Sequence, residues 1–288
     1  MSSPGTTWVW VDGALAPERE ARVAALDHGV TVGDGAFETC KVVDGTPFAL
    51  TRHLARLHRS AAVLRLRLPW TDEELRAAVG ATVAAAAADP TNAAHGVGRL
   101  RITVTGGSGP LGSDRGDVPP TLVVAAGPGG AWPEATEVAT VTWARNERSA
   151  VAGAKTTSYA ENVVALAEAH ARGASEAIMA NTVGALCEGT GSNVFLVVDG
   201  ELCTPATSTG CLAGVTRALV CELLDVAERD DLGLDDLRRA DEAFLTSSTR
   251  DVHPIAAVDG IALAACPGPR TREAIAAFAD LQARTLDP

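Results

Sequence analysis

Apolar residues recur along the chain with two periods, one strand-like and one helical, and these divide it into elements. Trp and Val alternate over Trp8-Val9-Trp10-Val11 and stop at Asp12-Gly13, which predicts an opening strand and a turn. Phe37 to Val43 and Thr46 to Leu50 flank Asp44-Gly45, the dipeptide of a tight hairpin. Leu50, Leu54, Leu57, Ala61 and Leu64 then fall on one helical face, with Thr51 as the expected N-cap. Thr71-Asp72-Glu73-Glu74 opens a second helix that runs through alanines to about Ala88. Arg99 to Thr105 and Thr121 to Ala126 are β-rich runs on either side of a Gly/Ser/Asp/Pro loop over 106–120.

Gly127-Pro128-Gly129-Gly130-Ala131-Trp132-Pro133 reads as a linker. Beyond it the pattern predicts a strand over Val138–Trp143, a helix over Tyr159–Ala171, and strands over 176–180 and 193–198. A helix from about Gly214 to Val226, a strand over 243–246 and a last helix from Pro269 to Ala283 complete the reading. Strands and helices mix irregularly, so the expected fold class is α+β, built as two α/β domains. Their expected bounds are 1–126 and 136–288, with 127–135 between them and Lys155 carried by the second.

Composition narrows the function. With 47% hydrophobic and 21% charged residues the 288-residue chain can bury a core, and a net charge of -12 argues against a nucleic-acid surface. It leaves room for one small anion held by a local arginine and backbone amides. The start of the chain lacks a signal-peptide pattern and no apolar run reaches membrane length, so a soluble, cytoplasmic protein is expected. The six cysteines, at 40, 187, 203, 211, 221 and 266, form no ligand-like cluster and read as reduced thiols, with no metal site. There are only two lysines, Lys41 and Lys155, against 22 arginines, and a single tyrosine, Tyr159. Chemistry that needs a primary amine therefore has two candidates.

Lys155 is the better placed. It lies among small residues in Ala152-Gly153-Ala154-Lys155-Thr156-Thr157-Ser158-Tyr159, where a planar ligand can approach, whereas Lys41 sits in an alternating strand. Glu188, in Leu186-Cys187-Glu188-Gly189-Thr190-Gly191-Ser192-Asn193, stands between apolar and small residues and calls for a cationic partner. A protonated pyridine nitrogen would serve, and so would an arginine. Gly214-Val215-Thr216-Arg217 leads into an apolar helix whose first amides suit a phosphate, although simple capping explains the same residues. Thr246-Ser247-Ser248-Thr249 offers hydroxyls and turn amides, as any polar turn does. Arg52, Arg56 and Arg59 form a stripe opposite the leucines, which is also what a solvated helix face presents. His28 and Asp34 are candidate catalytic residues, although Gly33-Asp34-Gly35 also reads as a tight turn. It opens no helix, which rules out a dinucleotide loop.

Taken in order, six segments resemble the class IV, or fold type IV, pyridoxal-phosphate enzymes from about residue 8 to 285. They are Asp27-His28-Gly29 through Gly33-Asp34-Gly35-Ala36-Phe37-Glu38, His53-Leu54-Ala55-Arg56-Leu57, Lys155 to Tyr159, Glu188 to Phe195, Gly214-Val215-Thr216-Arg217, and Thr246-Ser247-Ser248-Thr249. The resemblance implies that Lys155 carries pyridoxal 5′-phosphate and shuttles the proton, and that Glu188 partners the pyridinium nitrogen. It implies a phosphate cup of Arg56, Val215, Thr216 and Ser248, and Tyr159 on the cofactor's 3′ oxygen. Phe37, Arg115 and Thr249 are the implied substrate contacts. It also implies a small-molecule amino substrate and a homodimer.

Within that family the expected reaction is that of 4-amino-4-deoxychorismate lyase, which releases 4-aminobenzoate and pyruvate. The stretch Gly98-Arg99-Leu100-Arg101-Ile102-Thr103-Val104-Thr105-Gly106 is similar to that group, and Arg115 is available for a substrate carboxylate. The alternative is a transaminase. Against it, Pro110-Leu111-Gly112-Ser113 lacks the arginine and histidine of D-amino-acid transaminases, and no tyrosine besides Tyr159 exists to line a branched-chain pocket. A binding protein that has lost turnover is a distant third reading.

Overall fold

The computed structural model describes residues 5–288. Contacts divide the chain into two units: unit 1 is 1–131 with 154–158 and 285–288, and unit 2 is 132–153 with 159–284. Lys155, expected with the second domain, packs with unit 1 because its segment pairs with residues 35–37 there.

Unit 1 is a six-stranded antiparallel sheet with two long helices on one face. The strands are β1 (Trp8–Val11), β2 (Ala14–Pro17), β3 (Gly35–Val43), β4 (Thr46–Pro47), β5 (Arg99–Thr105) and β6 (Thr121–Gly127), ordered β2-β1-β6-β5-β3-β4. Asp44 and Gly45 both take positive φ, as a two-residue hairpin turn requires. A short helix, α1 (His28–Thr31), precedes β3, and α2 (Leu50–Val63) and α3 (Asp72–Ala88) follow β4.

The period-2 alternation of β3 and β5 turns Ala36, Cys40, Leu100, Ile102 and Val104 onto Leu54 and Leu57 of α2 and Leu75 and Val79 of α3. Leu54, Leu57 and Leu100 are fully buried, each contributing about 1.5–3 kcal/mol relative to exposure. Thr71 caps α3 with Glu74 in a reciprocal capping box, as its sequence predicts. Thr51 does not cap α2. Ala49 holds that position at φ 56°, and the Thr51 hydroxyl instead donates to Asp287.

Unit 2 is a nine-stranded mixed sheet. Its strands are β7 (Thr136–Thr140), β8 (Glu176–Ala180), β9 (Leu186–Gly189), β10 (Asn193–Val198), β11 (Glu201–Pro205), β12 (Ala227–Arg229), β13 (Glu242–Ser247), β14 (Asp251–Val258) and β15 (Ile261–Ala262). The order is β12-β11-β10-β13-β14-β7-β8-β9, with β15 on β14. Helices α4 (Ala160–Ala171), α5 (Val215–Leu223), α6 (Leu234–Arg238) and α7 (Pro269–Arg284) complete the unit. Val194, Leu196, Leu245, Ile255 and Val138 form the centre of its core. The strand expected over 138–143 runs over 136–140, and β9, β11, β12, β14 and β15 have no counterpart in the sequence reading. Among the described residues no helix is long and apolar enough to cross a membrane.

Candidate active site

In unit 1 the Lys155 segment is seated on the glycine turn before β3. Phe37 N donates to Lys155 O at 3.0 Å, Thr157 N donates to Gly35 O at 2.8 Å, and the Ser158 hydroxyl donates to Gly33 O at 2.8 Å. Lys155 N donates to Ser60 Oγ on α2 at 3.0 Å. Gly33 has φ +68°, and a Cβ on Gly35 would lie 2.7 Å from Val104 O and 3.0 Å from Thr157 Oγ1. The Gly33-Asp34-Gly35 turn is therefore the seat of the lysine, and close approach is what demands its glycines. Lys155 Nζ lies 4.3 Å from the centre of the Phe37 ring, and the guanidinium carbon of Arg101 lies 3.6 Å from it.

Arg56 is buried, unlike its stripe-mates: Arg59 is exposed and Arg52 donates to Pro288 O. Arg56 Nε and Nη2 donate to the two oxygens of Glu38 at 2.8 and 2.7 Å, and His53 Nδ1 meets Glu38 Oε2 at 2.7 Å. Burial pushes the Glu38 carboxyl up, but Arg56 and His53 outweigh it and hold it down at about 2. Burial pushes the His53 imidazole down, against the pull of Glu38, so it stays neutral at pH 7. Asp34 has no catalytic geometry. It takes both arms of Arg115, at 2.5 and 2.6 Å, while Arg115 also donates to the carbonyls of Leu64 and Arg65. His28 bonds Pro110 O through Nε2 at 2.9 Å.

Unit 2 gathers the other predicted residues through one network. Glu188, on β9 and 9% exposed, accepts from Leu212 N at 2.9 Å and meets Arg145 Nε at 3.1 Å. Arg145 is thus the arginine that the isolated carboxylate called for, and the sequence reading missed it. Its only signal is its place just beyond a predicted strand. Arg145 also donates to Asn162 Oδ1, and Asn162 Nδ2 donates to Thr190 O. Asn162 lies in the first turn of α4, whose N-cap is Tyr159. On the other side Asn193 pairs with Thr246 across β10 and β13, and its Nδ2 donates to Leu212 O. These links bring together Glu188, the start of α5 and the turn bearing Ser248 and Thr249.

At the start of α5 the N-cap is Gly214, which supplies no side-chain cap, and a Cβ there would lie 2.0 Å from Asn193 Oδ1. Val215 and Thr216 form the first turn. An uncapped helix start with a bare backbone fits a phosphate group, and a carboxylate held by an amide fits a ring N–H. The donor set of unit 2 therefore suits the cofactor that the resemblance implies.

The class IV amino-transferase family model matches residues 35–258. A branched-chain-amino-acid aminotransferase of Pseudomonas aeruginosa is 31% identical, over 95% of this chain and 92% of its own. A D-alanine aminotransferase of Listeria monocytogenes is 31% identical, over 89% of each. The solved branched-chain aminotransferase of Thermoproteus uzoniensis superposes with a TM-score of 0.85 at 31% identity, covering 96% of this chain and 95% of that one. A Legionella pneumophila structure described as a 4-amino-4-deoxychorismate lyase has a TM-score of 0.82 at 23% identity, covering 91% and 96%, a likeness of fold alone.

Proposed function

Since the chain belongs to the class IV aminotransferase family, whose members use pyridoxal 5′-phosphate, we propose that it is an amino-acid transaminase. The observation that carries this reading is the set of relatives at 31% identity, which match along about nine-tenths of both lengths and act on branched-chain or D-amino acids by name. The lyase expected from sequence is the weaker reading. The fold-level likeness does not choose it, and Arg115, on which it drew for a substrate carboxylate, is spent on Asp34 and two carbonyls.

When bound, the cofactor supplies an electron sink for the pair left at the substrate's α-carbon. The residues proposed to work with it are Lys155, Tyr159, Glu188, Val215, Thr216, Ser248 and Arg56. Lys155 holds it covalently and moves the proton at the α-carbon through Nζ. Glu188, oriented by Leu212 N and Arg145, keeps the proton on the ring nitrogen. The first amides of α5 and the Ser248 turn take the phosphate, and Arg56, two of whose donors are already held by Glu38, adds at most one further charge-assisted contact to it. Phe37 and Thr249 are the proposed substrate contacts.

The test is turnover with L-leucine or D-alanine and 2-oxoglutarate, read as the keto acid formed. Aminodeoxychorismate without a co-substrate forms the parallel arm. Keto-acid production supports the transaminase; 4-aminobenzoate from the second arm with none from the first replaces it by the lyase. Glu188→Gln is expected to fold and bind cofactor yet lose roughly 10²-fold in rate, because an amide does not hold the ring proton. A rate near wild type would leave Glu188 with Arg145 as its whole purpose.

A further inference from the structure

Arg250 immediately follows Ser248 and Thr249, in the turn between β13 and β14, where its N–H donates to Ser247 O at 3.3 Å. Its side chain does not leave for solvent. It is 9% exposed, its guanidinium carbon lies 4.2 Å from the centre of the Trp132 ring, and Nη1 lies 3.3 Å from Glu176 Oε2 without an aligned hydrogen bond. Burial makes the guanidinium easier to deprotonate than usual, against the pull of Glu176. A buried charge with one imperfect ion pair is a poor way to stabilise a fold, since an apolar side chain of the same size does as well or better.

Glu176, at the start of β8, shows what the charge is for. Its carboxylate is 1% exposed and accepts from Thr190 N at 3.0 Å, from the Thr190 hydroxyl, and from Ser192 Oγ at 3.1 Å. Thr190-Gly191-Ser192 is the turn that directly follows Glu188 and Gly189. Gly189 is packed onto it so closely that a Cβ would lie 2.5 Å from Ser192 Oγ and 3.2 Å from Glu176 Cδ. Oε1 of Glu176 thus anchors Thr190 at the end of the Glu188 strand, and Oε2, which also accepts from Ser192, faces Arg250. The remaining face of Arg250 is covered by Trp132, which His253 flanks with ring centres 6.1 Å apart.

We propose that Arg250 is a positioning residue: through Glu176 it ties the Ser248–Thr249 turn to the Glu188 strand and holds the two at one spacing. The proposal rests on the reading of Glu188 and Ser248 as contacts to the ring nitrogen and the phosphate of one cofactor. The rigid ring between those two groups has a fixed length, so the pair serves as a gauge for it. Every member lies in unit 2, and none of them needs to touch the cofactor.

The experiment titrates pyridoxal 5′-phosphate into apo protein for wild type, Arg250→Met, Arg250→Lys, Glu176→Gln and the double variant R250M/E176Q. Three quantities are read: the cofactor dissociation constant, the pH midpoint of the bound cofactor's visible absorbance, and the apo Tm. Arg250→Met is expected to weaken cofactor binding about tenfold and shift the pH midpoint. Lys, which keeps the charge without the planar fork, recovers part of the loss. The double variant is expected to be no worse than the worse single one, because the two residues act as a unit. A lowered Tm with unchanged dissociation constant and midpoint makes the pair merely structural and overturns the proposal, as do additive single effects. Should R250M fail to fold, R250K and E176Q decide by the same readouts. Wild-type protein that binds no cofactor overturns the functional reading and this proposal together, whereas wild-type binding equalled by all variants overturns this proposal alone.

Discussion

Lys155→Ala is expected to give a folded protein whose turnover is lower by roughly 10⁴-fold or more, since it loses both the covalent hold and the proton carrier. The fold survives because the segment is fastened by its main chain: Lys155 N to Ser60, Lys155 O to Phe37, and Thr157 to Gly35. One contact the side chain adds is a cation over the Phe37 ring, worth about 0.5–1 kcal/mol. Nothing replaces the amine. The other lysine, Lys41, lies six residues from Gly35 along β3, paired in register with Arg99. Borohydride reduction of cofactor-loaded protein followed by peptide mapping checks the assignment. The adduct is expected on Lys155 and absent from the variant, whose Tm should lie within a few degrees of wild type. An adduct on Lys41, or a variant that turns over normally, sinks the assignment.

The second large effect is on stability. Glu38→Gln is expected to cost unit 1 about 3–5 kcal/mol, because the Arg56 guanidinium stays buried with its counter-charge removed. At about 2–4 °C per kcal/mol, that is roughly 10 °C in Tm. The same pair sets an acid limb. Glu38 is held at about 2 in the folded protein against an ordinary value of 4.5, so its contribution is complete above pH 4.5 and is lost as pH falls through about 2. His53, held below its ordinary 6.5, works in the same direction: the unfolded chain binds its proton first, so stability falls as pH drops below 6.5. Chemical denaturation of wild type and Glu38→Gln between pH 7 and pH 3 checks this. Wild type should lose stability more steeply below pH 4.5, and parallel curves would show that Glu38 carries no special charge.

These residues also show where reading the chain stops. The leucines of α2 announce the helix because helical spacing is a local property, and Thr71 with Glu74 is a cap written in four consecutive residues. Hydropathy alone leaves Arg56 on one polar stripe with Arg52 and Arg59, because it counts all three alike. What buries it is Glu38, 18 residues away on a strand that faces α2. The need of Glu188 for a cation was legible from its apolar neighbours, but the identity of that cation was not, since Arg145 arrives through a loop with no period. Thr51 looked like a cap and serves as an acceptor's partner for Asp287, 236 residues later. Strand β14 escaped notice because Pro254 interrupts the strand signal, although the proline pairs in register with Phe244. Contacts between neighbours in sequence were foreseen, and those that close long loops were not.

The division of contacts has a consequence for how the molecule is made. Unit 1 is completed by 154–158, which seat on the glycine turn, and by 285–288, where Leu286 O accepts from Ala49 N and Asp287 from Thr51. A ribosome that has released residues 1–131 has delivered the whole sheet of unit 1 but neither of these closing pieces. The second piece emerges only after all of unit 2. Its closure therefore spans a loop of more than two hundred residues, the kind of distant pairing that slows folding and lengthens the life of incomplete intermediates. A nascent chain paused anywhere before residue 285 leaves the start of α2 without the chain end that bonds it, and a chaperone binding there would meet unit 1 open.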